Sequence, residues 1–238
     1  MQLLTKKYNF LQENTIVGVI FSFAIIEVLA ELFSFKVILF AFRPMTTLLL
    51  LYLYWITSQQ RNILFFVTGF FLLLTSVFIL SESISFLMLG LAGIIIHRIL
   101  LIFYIIKLNK IKDFVPILIA ILPFIFIFSY LLSISDEIPK ASYYPLVVQN
   151  ILVSILAGVI LSDYFMNESN NTPWLAIFGL LSTGLYFIVF IEKCFLSTLP
   201  PTYFRPLGMI LFVTSYYAFY KFVIDTERLN SDLEESYE

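Results

Sequence analysis

The sequence contains few of the residues that most soluble enzymes use for catalysis or metal binding. It has one cysteine and one histidine among 238 residues, and only 13% of its residues are charged. The single cysteine, Cys194, excludes an internal disulfide and a cysteine-based metal cluster, and the single histidine excludes a histidine-rich metal site. The sequence motifs GxGxxG, HExxH and GxSxG, and a P-loop, are also absent. We therefore expect no metal ion or other cofactor.

Neither sign of charge predominates. The chain carries 14 basic and 16 acidic residues, for a formal net charge of −2. A nucleic-acid-binding protein normally presents a strongly basic surface. The charge balance therefore gives no reason to expect a nucleic-acid partner, and it does not identify a protein partner either.

Long hydrophobic runs take the place of the missing charge. Hydrophobic residues make up 61% of the chain, and runs such as 63–80 are nearly continuous. Lipid must solvate part of this surface, and in hydrocarbon every backbone amide needs an internal hydrogen-bond partner. Strands of a membrane barrel alternate apolar and polar residues, which these runs do not. The sequence predicts an all-α transmembrane helical bundle, with membrane lipid as its surroundings.

We predict eight membrane spans, each about 20 apolar residues long. They cover roughly 15–33, 37–57, 62–80, 84–106, 114–133, 143–162, 173–192 and 204–224. The bundle then occupies 15–224, between an N-terminal segment (1–14) and an acidic tail (225–238). The second span contains Pro44, so it is either one helix kinked there or a short entry piece followed by a span.

The distribution of basic residues predicts the orientation. Cytoplasmic loops of membrane proteins are enriched in lysine and arginine, and the most basic loop of this chain is 107–112. We expect both termini in the cytoplasm and a location in the bacterial inner (plasma) membrane.

Charged residues inside predicted spans are the candidate functional residues, because each costs about 2.5–3.5 kcal/mol at the membrane centre. His97 and Arg98 lie midway along the fourth span, and Glu27 lies in the first. In one interpretation Arg98 and Glu27 form a structural ion pair, and His97 hydrogen-bonds a neighbouring carbonyl. In the other, Arg43 and Arg98 line a polar cavity and bind a phosphate or carboxylate, while His97 transfers a proton.

Two stretches resemble the YhhN-like lysoplasmalogenase family of eight-span membrane proteins. Phe42–Leu49, which reads FRPMTTLL, is similar to the family's Lys-Pro-x-Thr-Thr-Leu-Leu, with Arg43 in the lysine position. Phe86–Gly90, followed by His97, is similar to the family's Phe-Leu-x-Gly run and histidine. The resemblance implies an eight-span bundle and hydrolysis of the vinyl ether bond of a lysoplasmalogen.

The resemblance does not extend to the family's two intramembrane aspartates. The matching positions here are Ser76 and Thr183, whose hydroxyls are poor proton donors at neutral pH. If the chain is a hydrolase, the remaining candidates for the acid and base are His97, Glu82 and Glu192.

Two functions therefore stay open from the sequence. The chain is either an enzyme that acts on a single-chain ether lipid, or a non-catalytic membrane module that binds lipid, senses the membrane or serves as a partner subunit. A transporter ranks last, because no internal repeat is evident in the sequence.

Overall fold

The structure, a computed structural model, describes residues 2–79, 83–109, 113–135, 140–166, 172–196 and 204–235. These residues form helices and connecting turns, with no strand among them. The helices are α1 (Gln2–Leu32), α2 (Lys36–Thr57), α3 (Ile63–Phe78), α4 (Ile84–Leu108), α5 (Val115–Ser133), α6 (Lys140–Met166), α7 (Pro173–Phe195) and α8 (Phe204–Glu235).

The predicted all-α membrane bundle is confirmed. Seven of these helices are long and apolar enough to cross a membrane. The remaining helix, α3, has 16 residues and is about 24 Å long at 1.5 Å per residue. Of the two arrangements considered for the second span, the structure has a single helix, Lys36–Thr57, with Pro44 inside it.

Consecutive helices run in opposite directions, and contacts between side chains establish this. Tyr54 of α2 stacks on Phe65 of α3 near the turn between them. At the other end of the bundle, Arg205 at the start of α8 bonds Glu192 near the end of α7. Because directions alternate, the start of α1 and the end of α8 lie at the same end of the bundle. We call this the terminal end, and the end with the α1–α2 turn the opposite end.

Six helices form a ring, and two lie outside it. Each of the neighbouring pairs α2–α3, α3–α4, α4–α6, α6–α7, α7–α8 and α8–α2 is closely packed. Helix α1 packs on α2 and α8, whereas α5 packs on α6. Since α5 has mainly α6 as a neighbour, most of its surface is left for lipid.

The interior of the ring is filled by large side chains. Tyr54, Tyr104, Tyr220 and Phe178 are almost completely buried. Large apolar residues such as Val37 and Leu180 lie on the outside and are mostly exposed. This inversion of the usual surface is expected for a protein whose solvent is hydrocarbon.

Candidate functional site

Arg98 is a cation in the middle of the bundle. At 1.5 Å per residue, about 21 Å of α4 precedes it and about 15 Å follows it. Its guanidinium lies over the ring of Tyr186 on α7, 4.7 Å from the ring centroid. Tyr186 is itself buried, so the Arg98 side chain points into the bundle and does not extend along α4 towards either membrane surface.

Arg98 has no carboxylate partner among the described residues. The ion pairs of those residues involve other cations, and the Nη1 atom of Arg98 is buried without a hydrogen-bond partner. The Arg98–Glu27 pair considered from the sequence is not among the ion pairs of the described residues, and Glu27 instead accepts a hydrogen bond from Thr46 on α2. The cation–π contact with Tyr186 is worth about 2 kcal/mol when desolvated.

Through Tyr186, Arg98 is connected to further polar side chains on α6 and α7. The Tyr186 hydroxyl donates a hydrogen bond to the side chain of Asn150, which donates to the Phe128 carbonyl. Next to Asn150, Gln149 is 3% exposed and neither of its amide atoms has a partner. One helical turn before Tyr186, the hydroxyl of Thr183 is also buried without a partner.

We call the set formed by Arg98, Gln149, Asn150, Thr183 and Tyr186 the arginine layer. Leaving a buried polar group without a hydrogen bond costs about 1–3 kcal/mol, and more for a charged group. Three of the five residues in this layer carry such a group. These donors and acceptors are therefore available to a polar ligand or to water.

His97 belongs to a neighbouring network in which both of its ring nitrogens are hydrogen-bonded. Its Nδ1 lies 2.9 Å from the Thr68 carbonyl oxygen, and its Nε2 lies 2.7 Å from the Tyr216 hydroxyl. A carbonyl oxygen only accepts, so Nδ1 carries the proton and Nε2 accepts from Tyr216. His97 is 1% exposed. This geometry makes His97 a link from α4 to α3 and α8, and it leaves neither ring nitrogen free for a substrate.

A small cavity lies beside His97. Its volume is about 30 Å³, and polar side chains in its wall include those of Thr47, Thr68 and Tyr216. One water molecule needs about 10–15 Å³ on this scale, whereas small-molecule sites usually measure about 300–1,000 Å³. In this arrangement the cavity accommodates water but not a lipid.

The other charged candidates meet at the opposite end of the bundle. Arg205 donates to Glu192 at 3.0 Å and to Glu31 at 3.4 Å. Arg43 lies within electrostatic range of Arg205, Glu31 and Glu27. We call these five residues the end cluster. Arg43, Glu27 and Glu192 were candidates from the sequence, and all three lie in the end cluster. Arg98 and His97 lie elsewhere, in the middle of the bundle.

The end cluster is a set of mutually compensating charges. It joins α1, α2, α7 and α8 near one membrane surface, and Lys193 lies 3.8 Å from Glu192 at its edge. Among the described residues, no three His, Cys, Asp or Glu side chains are placed to bind a metal ion. We interpret the end cluster as structural.

The two positions matched to the family aspartates do not face a common site. The Ser76 hydroxyl donates to the Leu73 carbonyl on its own helix, whereas the Thr183 hydroxyl belongs to the arginine layer. The third acidic candidate, Glu82, lies outside the described residues. Thr183 lies one helical turn from Tyr186, whose ring Arg98 overlies, whereas Glu27 and Glu192 lie in the end cluster.

A buried carboxylate at the terminal end is fully hydrogen-bonded. Glu227 of α8 accepts from the Tyr54 hydroxyl and from the Ser58 hydroxyl, each at 2.6 Å. The same Tyr54 oxygen accepts from the backbone amide of Asn62, at the start of α3. Glu227 thereby connects the end of α8 to the α2–α3 loop.

Several residues of the arginine layer and of the His97 network were not predicted from the sequence, because their side chains are not ionised at neutral pH. Adjacent amides in the middle of a predicted span, Gln149-Asn150, were a signal that could have been used, since such groups must find partners in the membrane. The tyrosines of α7 and α8 carried no such signal.

Comparisons with protein-family models, curated proteins and solved structures find no match for this chain.

Proposed function

We propose that this integral membrane protein binds the anionic headgroup of a single-chain lipid at the arginine layer and does not hydrolyse the lipid. The observation that carries the proposal is Arg98, a cation inside the bundle whose Nη1 atom is buried and unpartnered. A guanidinium suits a phosphate or carboxylate, because its fork of N–H groups makes paired, charge-assisted hydrogen bonds.

The surroundings of Arg98 support an anionic ligand. Tyr186 packs against one face of the guanidinium, and Gln149, next to Asn150, and Thr183, one turn from Tyr186, carry unpaired polar groups. An ion pair with a protein carboxylate would compete with a ligand, and no described carboxylate lies within ion-pair distance.

The ligand class follows from the surroundings and from the resemblance. A ligand that reaches the middle of a bundle surrounded by lipid is expected to carry an acyl or alkyl chain. The similarity of Phe42–Leu49 and Phe86–Gly90 to lysoplasmalogenases remains a prediction, and it favours a lipid with a single chain.

Binding without hydrolysis is supported by the chemistry of the residues present. Protonation of an enol ether requires a positioned acid, and attack by water requires a base. The arginine layer contains neither a carboxylate nor a histidine, and both ring nitrogens of neighbouring His97 are engaged.

Binding can be measured on the purified full-length protein in detergent micelles. We would compare lysophosphatidic acid with a monoacylglycerol of the same chain, which lacks only the phosphate. We expect the lysophosphatidic acid to bind at least about tenfold more tightly, since charge-assisted hydrogen bonds contribute about 1.5–3 kcal/mol. Equal affinity for the two lipids would refute the proposal.

Substitution tests whether Arg98 is the binding residue. We expect Arg98→Gln to remove the preference for the phosphate, whereas Arg61→Gln, in the α2–α3 loop, should retain it. Lysoplasmalogen is assayed in parallel for release of aldehyde. Release that depends on the protein would show a hydrolase instead.

We also propose that the terminal end faces the cytoplasm of a bacterial inner membrane, because Arg61, Lys107 and Lys221 all lie towards this end. A reporter that fluoresces only in the cytoplasm, fused after Glu238, should be active. Activity of a periplasmic reporter at the same position would reverse the orientation.

A further inference from the structure

The two halves of the chain, α1–α4 and α5–α8, share one pattern of helix packing. In each half the consecutive helices pack as antiparallel neighbours. Between the halves, α2 packs on α8 and α4 packs on α6. Helix α2 corresponds to α6 and helix α4 corresponds to α8, so the α2–α8 contact and the α4–α6 contact are equivalent. This is the relation expected of two repeats with the same orientation in the membrane.

Contacts between individual residues follow the same correspondence. In the first half, Gly69 of α3 packs against Leu51 of α2; in the second, Gly179 of α7 packs against Ile160 of α6. Gly179 lies about 110 residues after Gly69, and Ile160 lies about 110 residues after Leu51. An equal offset for both contacting residues is expected of parallel repeats. The halves differ at their first helices, since α1 also packs on α8.

The exchange of halves also relates α4 to α8, and side chains of these two helices are in contact at the centre of the bundle. The closely packed helix pairs of the described residues do not include α4 with α8 or α4 with α7. Long side chains bridge them instead, namely His97 to Tyr216 and Arg98 to Tyr186. The arginine layer therefore lies between the halves, with Arg98 from the first and its other members from the second.

Polar pairs join the two halves at both ends of the bundle. At the terminal end, Lys221 of α8 lies 2.7 Å from Glu13 of α1. At the opposite end, Arg205 of α8 lies 3.4 Å from Glu31 of α1. Partly exposed ion pairs of this kind are worth at most about 1 kcal/mol each. These two ion pairs can each be broken at low cost, whereas the buried hydrogen bonds of Glu227 to Tyr54 and Ser58, which also join α8 to the first half, are stronger.

We infer that the two halves move against each other and carry a bound anionic headgroup from one leaflet to the other. The inference rests on the proposed binding at the arginine layer and adds transport to it. Alternating opening around a fixed site between repeats is the usual mechanism of transporters built in this way. The small volume beside His97 is consistent with a closed arrangement that must open to admit a ligand.

The test uses the full-length protein in phosphatidylcholine vesicles, with lysophosphatidic acid labelled on its chain by nitrobenzoxadiazole. Dithionite added outside bleaches only the outer leaflet, so the subsequent loss of fluorescence reports movement of the probe from the inner leaflet. We expect at least about tenfold faster movement than in vesicles without protein. Arg98→Gln should return the rate to that of empty vesicles.

Cross-links between the halves test the motion. In a Cys194→Ala background, the pair Glu13→Cys and Lys221→Cys tethers α1 to α8 at the terminal end, and Glu31→Cys and Arg205→Cys does so at the opposite end. A bifunctional thiol reagent bridges each pair, and single-cysteine variants treated with the reagent are the controls. We expect each cross-link to stop transfer and the controls to retain it.

The outcomes separate this inference from the proposed function. If the probe binds but crosses no faster than in empty vesicles, transport is refuted and binding stands. If both cross-linked proteins still transfer the probe, motion of the two halves against each other is refuted. If the probe does not bind to the protein in micelles, the proposed function fails and transport fails with it.

Discussion

Two charged residues inside this bundle, the partly buried Arg98 and the buried Glu227, have opposite hydrogen-bonding environments. Glu227 receives a hydrogen bond on each carboxylate oxygen, from Tyr54 and Ser58. Arg98 has an aromatic ring on one face and an unpartnered nitrogen. A buried charge that the protein itself satisfies contributes to the fold. A buried charge that is left unsatisfied lowers stability, so a function must account for its presence.

The largest effect is expected at Glu227. Glu227→Leu removes the only described side-chain acceptor of the Tyr54 and Ser58 hydroxyls and leaves both donors unpaired. At about 1–3 kcal/mol for each of the two unpaired donors, the loss should be about 2–6 kcal/mol. It would appear as a clearly lower unfolding temperature in detergent micelles. Asp113→Asn, at an exposed acid, is the control and should leave that temperature unchanged.

The same substitution at two threonines sharpens the comparison. The Thr46 hydroxyl bonds Glu27, whereas the Thr183 hydroxyl is buried without a partner. Thr46→Val should therefore destabilise the protein by about 1–3 kcal/mol, because it leaves a buried carboxylate with one hydrogen bond fewer. Thr183→Val should have no destabilising effect but should weaken binding of lysophosphatidic acid. Equal loss of stability in both variants would contradict the distinction between satisfied and unsatisfied groups.

A smaller effect of opposite sign is expected at Arg98. Replacing a buried ion pair with apolar side chains of similar volume is often neutral or stabilising by about 1–4 kcal/mol, because the cost of removing the charges from water is avoided. Because Arg98 lacks a carboxylate partner, we expect Arg98→Met to raise the unfolding temperature modestly while abolishing binding. A large fall in unfolding temperature would show that Arg98 holds the helices together and is not retained for a ligand.

Much of the fold could be predicted from the sequence, because long apolar runs allow only helices in a membrane. The positions of charged residues inside the predicted spans also indicated which residues were candidates for a functional role. The partners could not be predicted, since they depend on which helices become neighbours. Glu27 was matched with Arg98 on the basis of charge alone, yet the packing of α1 on α2 gives it Thr46 instead.

The repeat was missed for a related reason. The two halves correspond in how their helices pack, and packing needs only an apolar surface with a small residue where two helices approach closely. Gly69 and Gly179 supply that residue in equivalent places. The polar residues at the centre differ between the halves, since Arg98 has tyrosines as neighbours on α7 and α8. Two halves that pack in the same way but carry different polar residues share little sequence similarity, so the repeat is hard to recognise from the sequence.

The smallest effect is expected at Arg205 in the end cluster. Its side chain is 46% exposed and bridges Glu192 and Glu31. Exposed ion pairs contribute about 0.2–1 kcal/mol and are weakened by salt. Arg205→Gln should therefore lower the unfolding temperature slightly at low salt and not measurably at high salt, while binding of lysophosphatidic acid is unchanged. If Arg205→Gln instead removed the preference for phosphate, the anion would bind at the opposite end of the bundle and the assignment to the arginine layer would be wrong.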